Sequence, residues 1–163
     1  YRAIDNPYWP VEPLRPLKGE VLILRFSARQ RKVLPGILSR GGYLVQRPDG
    51  TATLGTTYGR GQTDINTTLE GRAALLRKLE GLVNYPEVEI LDQQVGIRPT
   101  VKDHRPILGR HPDYPGLLFM NGLGNKGLLN TPLLLKHLPD LLEGRDEAIP
   151  KDIRMDRLQP RER

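Results

Sequence analysis

The sequence has no cysteine among its 163 residues. That excludes disulfides, thiolate metal sites and a cysteine nucleophile, and it agrees with a cytoplasmic chain. Long hydrophobic runs are missing too. Stretches such as Leu133-Leu134-Leu135 fall far short of the ~20 apolar residues that span a bilayer, so no membrane association is expected. The opening residues, Tyr1-Arg2-Ala3-Ile4-Asp5, carry neither an initiator methionine nor the apolar core of a secretory signal. The expectation is a cut or processed chain, whose missing sequence holds missing function. Histidine is scarce. His104, His111 and His137 lack ligand spacing such as H-x-x-x-H, so no metal site is expected, and no Ser-His-Asp arrangement follows from their order.

What is present is an ordinary globular composition. Hydrophobic residues make up 37%, and the length suffices for one domain with a core. Lys and Arg number 25 against 19 Asp and Glu, a net charge of +6. A basic balance suits phosphate-bearing partners. Several cations (Arg154, Arg157, Arg161, Arg163) sit in the tail beside acids, however, and a solvated basic surface accounts for them equally.

Pro7, Pro10, Pro13 and Pro16 mark residues 1–18 as an extended entry. Gly19–Phe26 reads as a largely buried strand. Tyr43–Arg47 and Thr51–Thr57, joined by Pro48-Asp49-Gly50, read as a hairpin. Thr67 with Glu70 three residues on forms a capping-box pattern, and Leu69, Ala73, Leu76, Leu79 and Val83 predict the core face of an amphipathic helix. Val88–Leu91, Pro106–Leu108 and Leu117–Met120 are short strand candidates. A last helix is predicted from about Gly124 to Leu142, with Pro139 kinking or ending it and Gly144 as its stop. Beyond Arg145 the chain is expected to trail over a surface. Strands and helices do not alternate regularly, so the fold class is α+β: a mostly antiparallel sheet packed by two main helices.

Two stretches carry the chemistry. In Leu117–Leu129 a strand enters a glycine-rich turn and then a helix, and Gly122, Gly124 and Gly127 spell G-x-G-x-x-G. Free N–H groups at such a helix start favour negative charge. A dinucleotide fingerprint would need a second parallel strand after the helix, and none is legible; a tight turn packing strand on helix is the alternative. In Val95–Gly109, Arg98 follows an apolar strand, where burying its charge without an anion is unfavourable. It either grips a ligand carboxylate in a bidentate fork or pairs internally with an acid such as Asp103.

Gly96-Ile97-Arg98-Pro99-Thr100, then Asp103 and Arg105-Pro106-Ile107-Leu108-Gly109, resembles the "G-x-R-P…T-x-D-x-x-P-x-x-G" segment of D-amino-acid-oxidase-like flavoenzymes. That group includes glycine oxidase and sarcosine oxidase. Leu117 to Gly127 with Pro132 resembles the family's closing flavin-contact loop and helix. Pro16-Leu17-Lys18-Gly19-Glu20-Val21-Leu22 resembles the strand opening its substrate-side sheet.

The resemblance implies FAD as cofactor, bound in the full enzymes by an N-terminal Rossmann-type domain. No such unit opens this chain, so that domain is expected to be missing. It also implies an organisation: 1–17 an entry segment, 18–97 a substrate-side sheet with helix, 98–144 a return to the FAD domain, and 145–163 a polar tail. Arg98 matches the arginine that grips substrate carboxylate in glycine-oxidase-like members. Leu123, Gly124, Asn125, Lys126, Gly127, Leu128 and Leu129 match the loop whose backbone faces the flavin pyrimidine edge, where negative charge gathers on reduction. Glycine oxidase has a second substrate arginine where this chain has Asn125. Lys126 matches the carboxylate-binding lysine of sarcosine oxidase, with a flavin-side or surface lysine as the other reading. Thr56 and Tyr58 either line the substrate chamber or are exposed strand-end residues.

The implied reaction removes hydride from the carbon beside an amine nitrogen. The flavin accepts it, the imine hydrolyses, oxygen re-oxidises the flavin, and no side chain is assigned as acid or base. The substrate would be a small amine or amino acid. Alternatively, the chain is the oxidase half of a tRNA wobble-uridine-modifying enzyme, which shows similar motifs including Asp103-His104. A tRNA substrate predicts a basic patch and steep salt dependence. A non-catalytic basic binding domain is the reading from another class. The 163-residue chain alone is expected neither to hold FAD tightly nor to turn over.

Overall fold

The computed structural model describes residues 7–8, 14–34, 36–84 and 86–158. They fall into two compact units, residues 18–97 and residues 1–17 with 98–163. Most of the proline-rich entry, and the chain beyond 158 with Arg161 and Arg163, lie outside the described residues.

In residues 18–97 the sheet is built on β1 (Arg15–Phe26), followed by α1 (Ala28–Val33), β2 (Ile37–Ser39), β3 (Tyr43–Gln46), β4 (Thr51–Gly55) and β5 (Gly59–Arg60). The strand order is β2-β3-β4-β1-β5, and β6 (Val88–Thr100) also pairs with β1. The pairs β2–β3, β3–β4 and β4–β1 are antiparallel. Side chains alternate along a strand, so Leu22, Leu24 and Phe26 share one face. Register places Leu54 opposite both Leu22 and Leu44, which makes a buried leucine row across three strands. Each such side chain stabilises the fold by about 1.5–3 kcal/mol through burial. The expected hairpin is β3–β4. Asp49 Oδ1 accepts from the Thr51 N–H and hydroxyl, and Gly50 supplies the left-handed residue at φ +84°. The sequence reading omitted α1, β2 and β5, all six residues or shorter.

The helix α2 (Leu69–Leu82) covers this sheet, but its start and face differ from expectation. Thr68, not Thr67, is the N-cap: its Oγ1 accepts from the Gly71 N–H at 2.9 Å. The core face is Gly71, Leu75 and Leu79 with Val83, while Leu69 is 81% exposed. The cause is Glu20 on β1. Its carboxylate accepts from the Thr68 N–H at 2.9 Å and the Thr68 hydroxyl at 2.8 Å, which pins the cap and hence the helix rotation. A Cβ on Gly71 would lie 2.5 Å from Glu20 Oε1, so only glycine admits this approach.

In the other unit, β7 (Ile107–Arg110) and β8 (Leu118–Asn121) form an antiparallel hairpin, and α3 (Gly127–Leu142) follows. Ile107 and Leu108 are adjacent and fully buried, so they serve opposite faces. Ile107 packs with Leu14, Val101, Phe119 and Met155, whereas Leu108 packs with Leu134, Leu141, Ile149 and Ile153. Pro139 lies inside α3, which reaches the expected end at Leu142. Burial of Leu134 and Leu141 on either side of it carries the helix on to Leu142, and Gly144 at φ +77° closes it.

Residues 146–158 do not trail over a surface, contrary to expectation. Their apolar members Ile149, Ile153 and Met155 recur at a spacing that buries them, and Ile153 C=O accepts from the Leu108 N–H at 2.7 Å. Arg157 Nε fastens the segment to Asp103 at 3.0 Å. Burial pushes the Asp103 carboxyl up, but Arg157 and the Arg105 N–H outweigh it and hold it below the usual carboxylate range. A depressed carboxylate adds stability above its unfolded value of about 3.9, and that stability is lost as pH falls through the folded value. Solvent screens this half-exposed pair, so Asp103→Asn is expected to destabilise by only about 0.5–1 kcal/mol at pH 7. Urea midpoints measured from pH 6 to pH 3 should converge for parent and variant toward the acid end.

Candidate functional site

The glycine-rich turn is shaped by its own backbone. β8 ends at Asn121, whose Oδ1 accepts from the Gly122 N–H at 2.8 Å. Gly122 has φ +73°, and a Cβ there would crowd Val101 Cγ1 at 3.2 Å and Ile107 Cγ1 at 3.3 Å. Gly124 has φ +55°, and its N–H donates to the Pro99 carbonyl at 2.9 Å. That bond brings together the two stretches singled out in the sequence: the loop before α3 is tied to the residue following Arg98. Arg98 itself is half-buried on β6.

Lys126 occupies the N-cap of α3 and offers no side-chain acceptor. The first-turn N–H groups of Gly127, Leu128 and Leu129 therefore lack a capping side chain and form the positive end of the helix dipole. Asn125 and Lys126 are exposed. Leu128 and Leu129 are 95% and 75% exposed, an apolar pair left open at a polar helix start, and Leu123 lies half-buried beside them. The helix leads into a 3-10 turn at Asp146–Ala148, and then to an isolated bridge between Leu108 and Arg154. A second strand after the helix, which a dinucleotide fingerprint needs, is not formed there.

Other candidates are placed differently. Both Asp103 oxygens receive Arg157, so the acid proposed as an internal partner of Arg98 is engaged elsewhere. Thr56 is buried rather than exposed: its hydroxyl donates to the Glu20 carbonyl at 3.1 Å. Tyr58 is exposed, with the Lys78 ammonium 5.5 Å from its ring centroid. His111 Nδ1 accepts the N–H groups of Asp113 and Tyr114 at 3.0 and 3.2 Å, which shapes the β7–β8 turn. Among the described residues no group of three metal-ligating side chains occurs, and no helix is long and apolar enough to cross a membrane.

Sequence reasoning missed the polar knot below the sheet. Glu20 is 4% exposed and also accepts from Gln93 Nε2 at 2.6 Å, while the neighbouring buried Lys18 donates to Asp64 at 2.6 Å. The available signal was charge at Lys18 and Glu20 in an otherwise apolar strand.

Against known proteins, the family model described as FAD dependent oxidoreductase matches residues 4–141. The tRNA 5-methylaminomethyl-2-thiouridine biosynthesis bifunctional protein MnmC of Caulobacter sp. (strain K31) is 30% identical over 152 residues, covering 89% of this chain and 24% of that protein. The glycine oxidase of Pseudomonas aeruginosa (strain PAO1) is 28% identical over 139 residues, covering 84% of this chain and 37% of that protein. The crystal structure of glycine oxidase from Geobacillus kaustophilus superposes with a TM-score of 0.71 at 29% identity, covering 82% of this chain and 36% of that one. The chain thus spans well under half the length of these relatives.

Proposed function

Since the chain belongs to the FAD dependent oxidoreductase family, we propose that it forms the substrate side and flavin-contact loop of a cytoplasmic enzyme that oxidises a carbon–nitrogen bond of a small amino acid or secondary amine. FAD, when bound, supplies the hydride acceptor; the remainder of the full-length protein supplies the nucleotide-binding domain. The observation carrying this reading is the Leu123–Leu129 start of α3. Uncapped N–H groups suit a ring edge that accumulates negative charge, Gly124 lets backbone approach it, and the open leucines suit an apolar ring. Arg98 holds the substrate carboxylate in a bidentate fork, and Lys126 offers a second cation from the loop. Together they orient the substrate, and no side chain is assigned as acid or base.

The test is the reductive half-reaction of the full-length protein, mixed anaerobically with glycine, sarcosine and D-alanine. Saturable flavin reduction by one of them identifies the substrate class. Reduction by none of them, with reduction by an amine borne on tRNA, transfers the reading to the tRNA-modifying branch. The identity with MnmC favours keeping that second reading.

A further inference from the structure

Residues 21–48 contain six cations (Arg25, Arg29, Arg31, Lys32, Arg40 and Arg47) and no acid. The rest of the chain then holds 19 cations against 19 acids, so the entire net charge of +6 resides in this segment. The fold gathers it within the 18–97 unit. Arg31, Lys32 and Arg47 line a cleft of about 320 Å³ between α1 and the β3–β4 turn, with Ala28, Gln46 and Gly50. The Arg31 guanidinium lies directly over the turn: a Cβ on Gly50 would meet its Nη1 at 1.9 Å. Arg29 stands exposed on the same helix and Arg40 on the β2–β3 turn. Among the described residues, none of Arg29, Arg31, Lys32, Arg40 and Arg47 makes an ion pair, whereas Arg25 is paired with Glu89 at 3.0 Å. The acid at the turn, Asp49, accepts from the Thr51 N–H and hydroxyl, which hold it ionised beside Arg47, so it offsets one of these charges.

We propose that α1 and the β3–β4 turn form an RNA-docking surface, with Arg29, Arg31, Lys32 and Arg47 gripping backbone phosphates. Like charges that outnumber the acids beside them disfavour the free fold and are relieved by a polyanion. Guanidinium groups match phosphate geometry, and cations spread over a helix and a turn suit a chain of phosphates better than one small anion. A membrane surface fits less well, because the cleft lining holds no large apolar side chain to enter a bilayer. The docking rests on charge placement. Only the choice of tRNA as its RNA rests on the second form of the oxidoreductase reading, in which the substrate amine is carried on tRNA.

The experiment is fluorescence anisotropy of labelled bulk tRNA with the full-length flavin-loaded protein, titrated at several salt concentrations. The variant Arg29→Ala/Arg31→Ala/Lys32→Ala/Arg47→Ala is compared with a charge-matched control, Arg72→Ala/Arg77→Ala/Lys136→Ala/Lys151→Ala. The expected result is at least about tenfold weaker binding for the first variant, with its log-affinity against log-salt slope shallower by about 3. The control should stay near the parent. An unchanged affinity and slope, an equal loss in the control, or tighter binding to phosphatidylserine vesicles than to tRNA would each overturn the proposal. The flavin absorbance, recorded on the same samples, reports on the oxidoreductase reading separately. Its absence with tRNA binding intact sinks that reading and leaves the docking surface standing.

Discussion

Replacing Arg98 by alanine is expected to lower kcat/KM for a carboxylate-bearing amine about 100-fold while the full-length protein keeps its flavin spectrum. Two charge-assisted hydrogen bonds contribute about 1.5–3 kcal/mol each, so losing a bidentate fork removes at least the equivalent of two powers of ten. The effect should appear mainly in KM, because the carboxylate is held alike before and during hydride removal. Arg98→Lys should recover only part of it, since an ammonium cannot reproduce a planar fork. The Pro99 carbonyl, which holds Gly124, is unaltered by either change. Steady-state oxygen consumption checks the outcome; a kcat/KM within about twofold of the parent would remove Arg98 from the substrate site.

The largest stability effect is expected at Glu20. Glu20→Ala strips the acceptor from the Thr68 N–H, the Thr68 hydroxyl and Gln93 Nε2 at once. A buried donor left unsatisfied costs about 1–3 kcal/mol; these donors are part-buried and Gln93 Nε2 keeps the Thr68 carbonyl, so a loss of about 2 kcal/mol is expected. The same change removes the support of the α2 cap and opens space over Gly71. Urea unfolding should show a clearly lowered midpoint. Glu20→Gln should fall between, because its amide keeps one acceptor and turns a donor toward the other donors. A midpoint equal to the parent's for Glu20→Ala would show that this knot contributes nothing to stability.

Much of this was legible in the residues. The Pro48-Asp49-Gly50 turn set the hairpin, and the apolar run Val21-Leu22-Ile23-Leu24 marked β1 as a largely buried strand. The long helices were found because their apolar periodicity extends over several turns. Rotation of α2 was not legible, since it depends on Glu20, which lies 48 residues before Thr68. Nor was the docking of 145–158: three apolar residues among charges look like a tail until β7 offers them a face. The adjacency of Pro99 and Gly124 belongs to tertiary structure, although both stretches had been singled out separately. The uneven charge distribution was in the sequence all along, masked by cations near the C-terminus that acids offset.

The central claim is that this chain completes a flavin site. The most direct test is the visible absorption spectrum of the purified, folded full-length protein, recorded before and after anaerobic addition of a small amino acid. The account predicts an oxidised flavin spectrum that bleaches, and a Gly124→Val variant with weakened flavin retention, since valine at φ +55° strains the loop by about 1–2 kcal/mol. A folded, colourless protein that takes up no added FAD would contradict it.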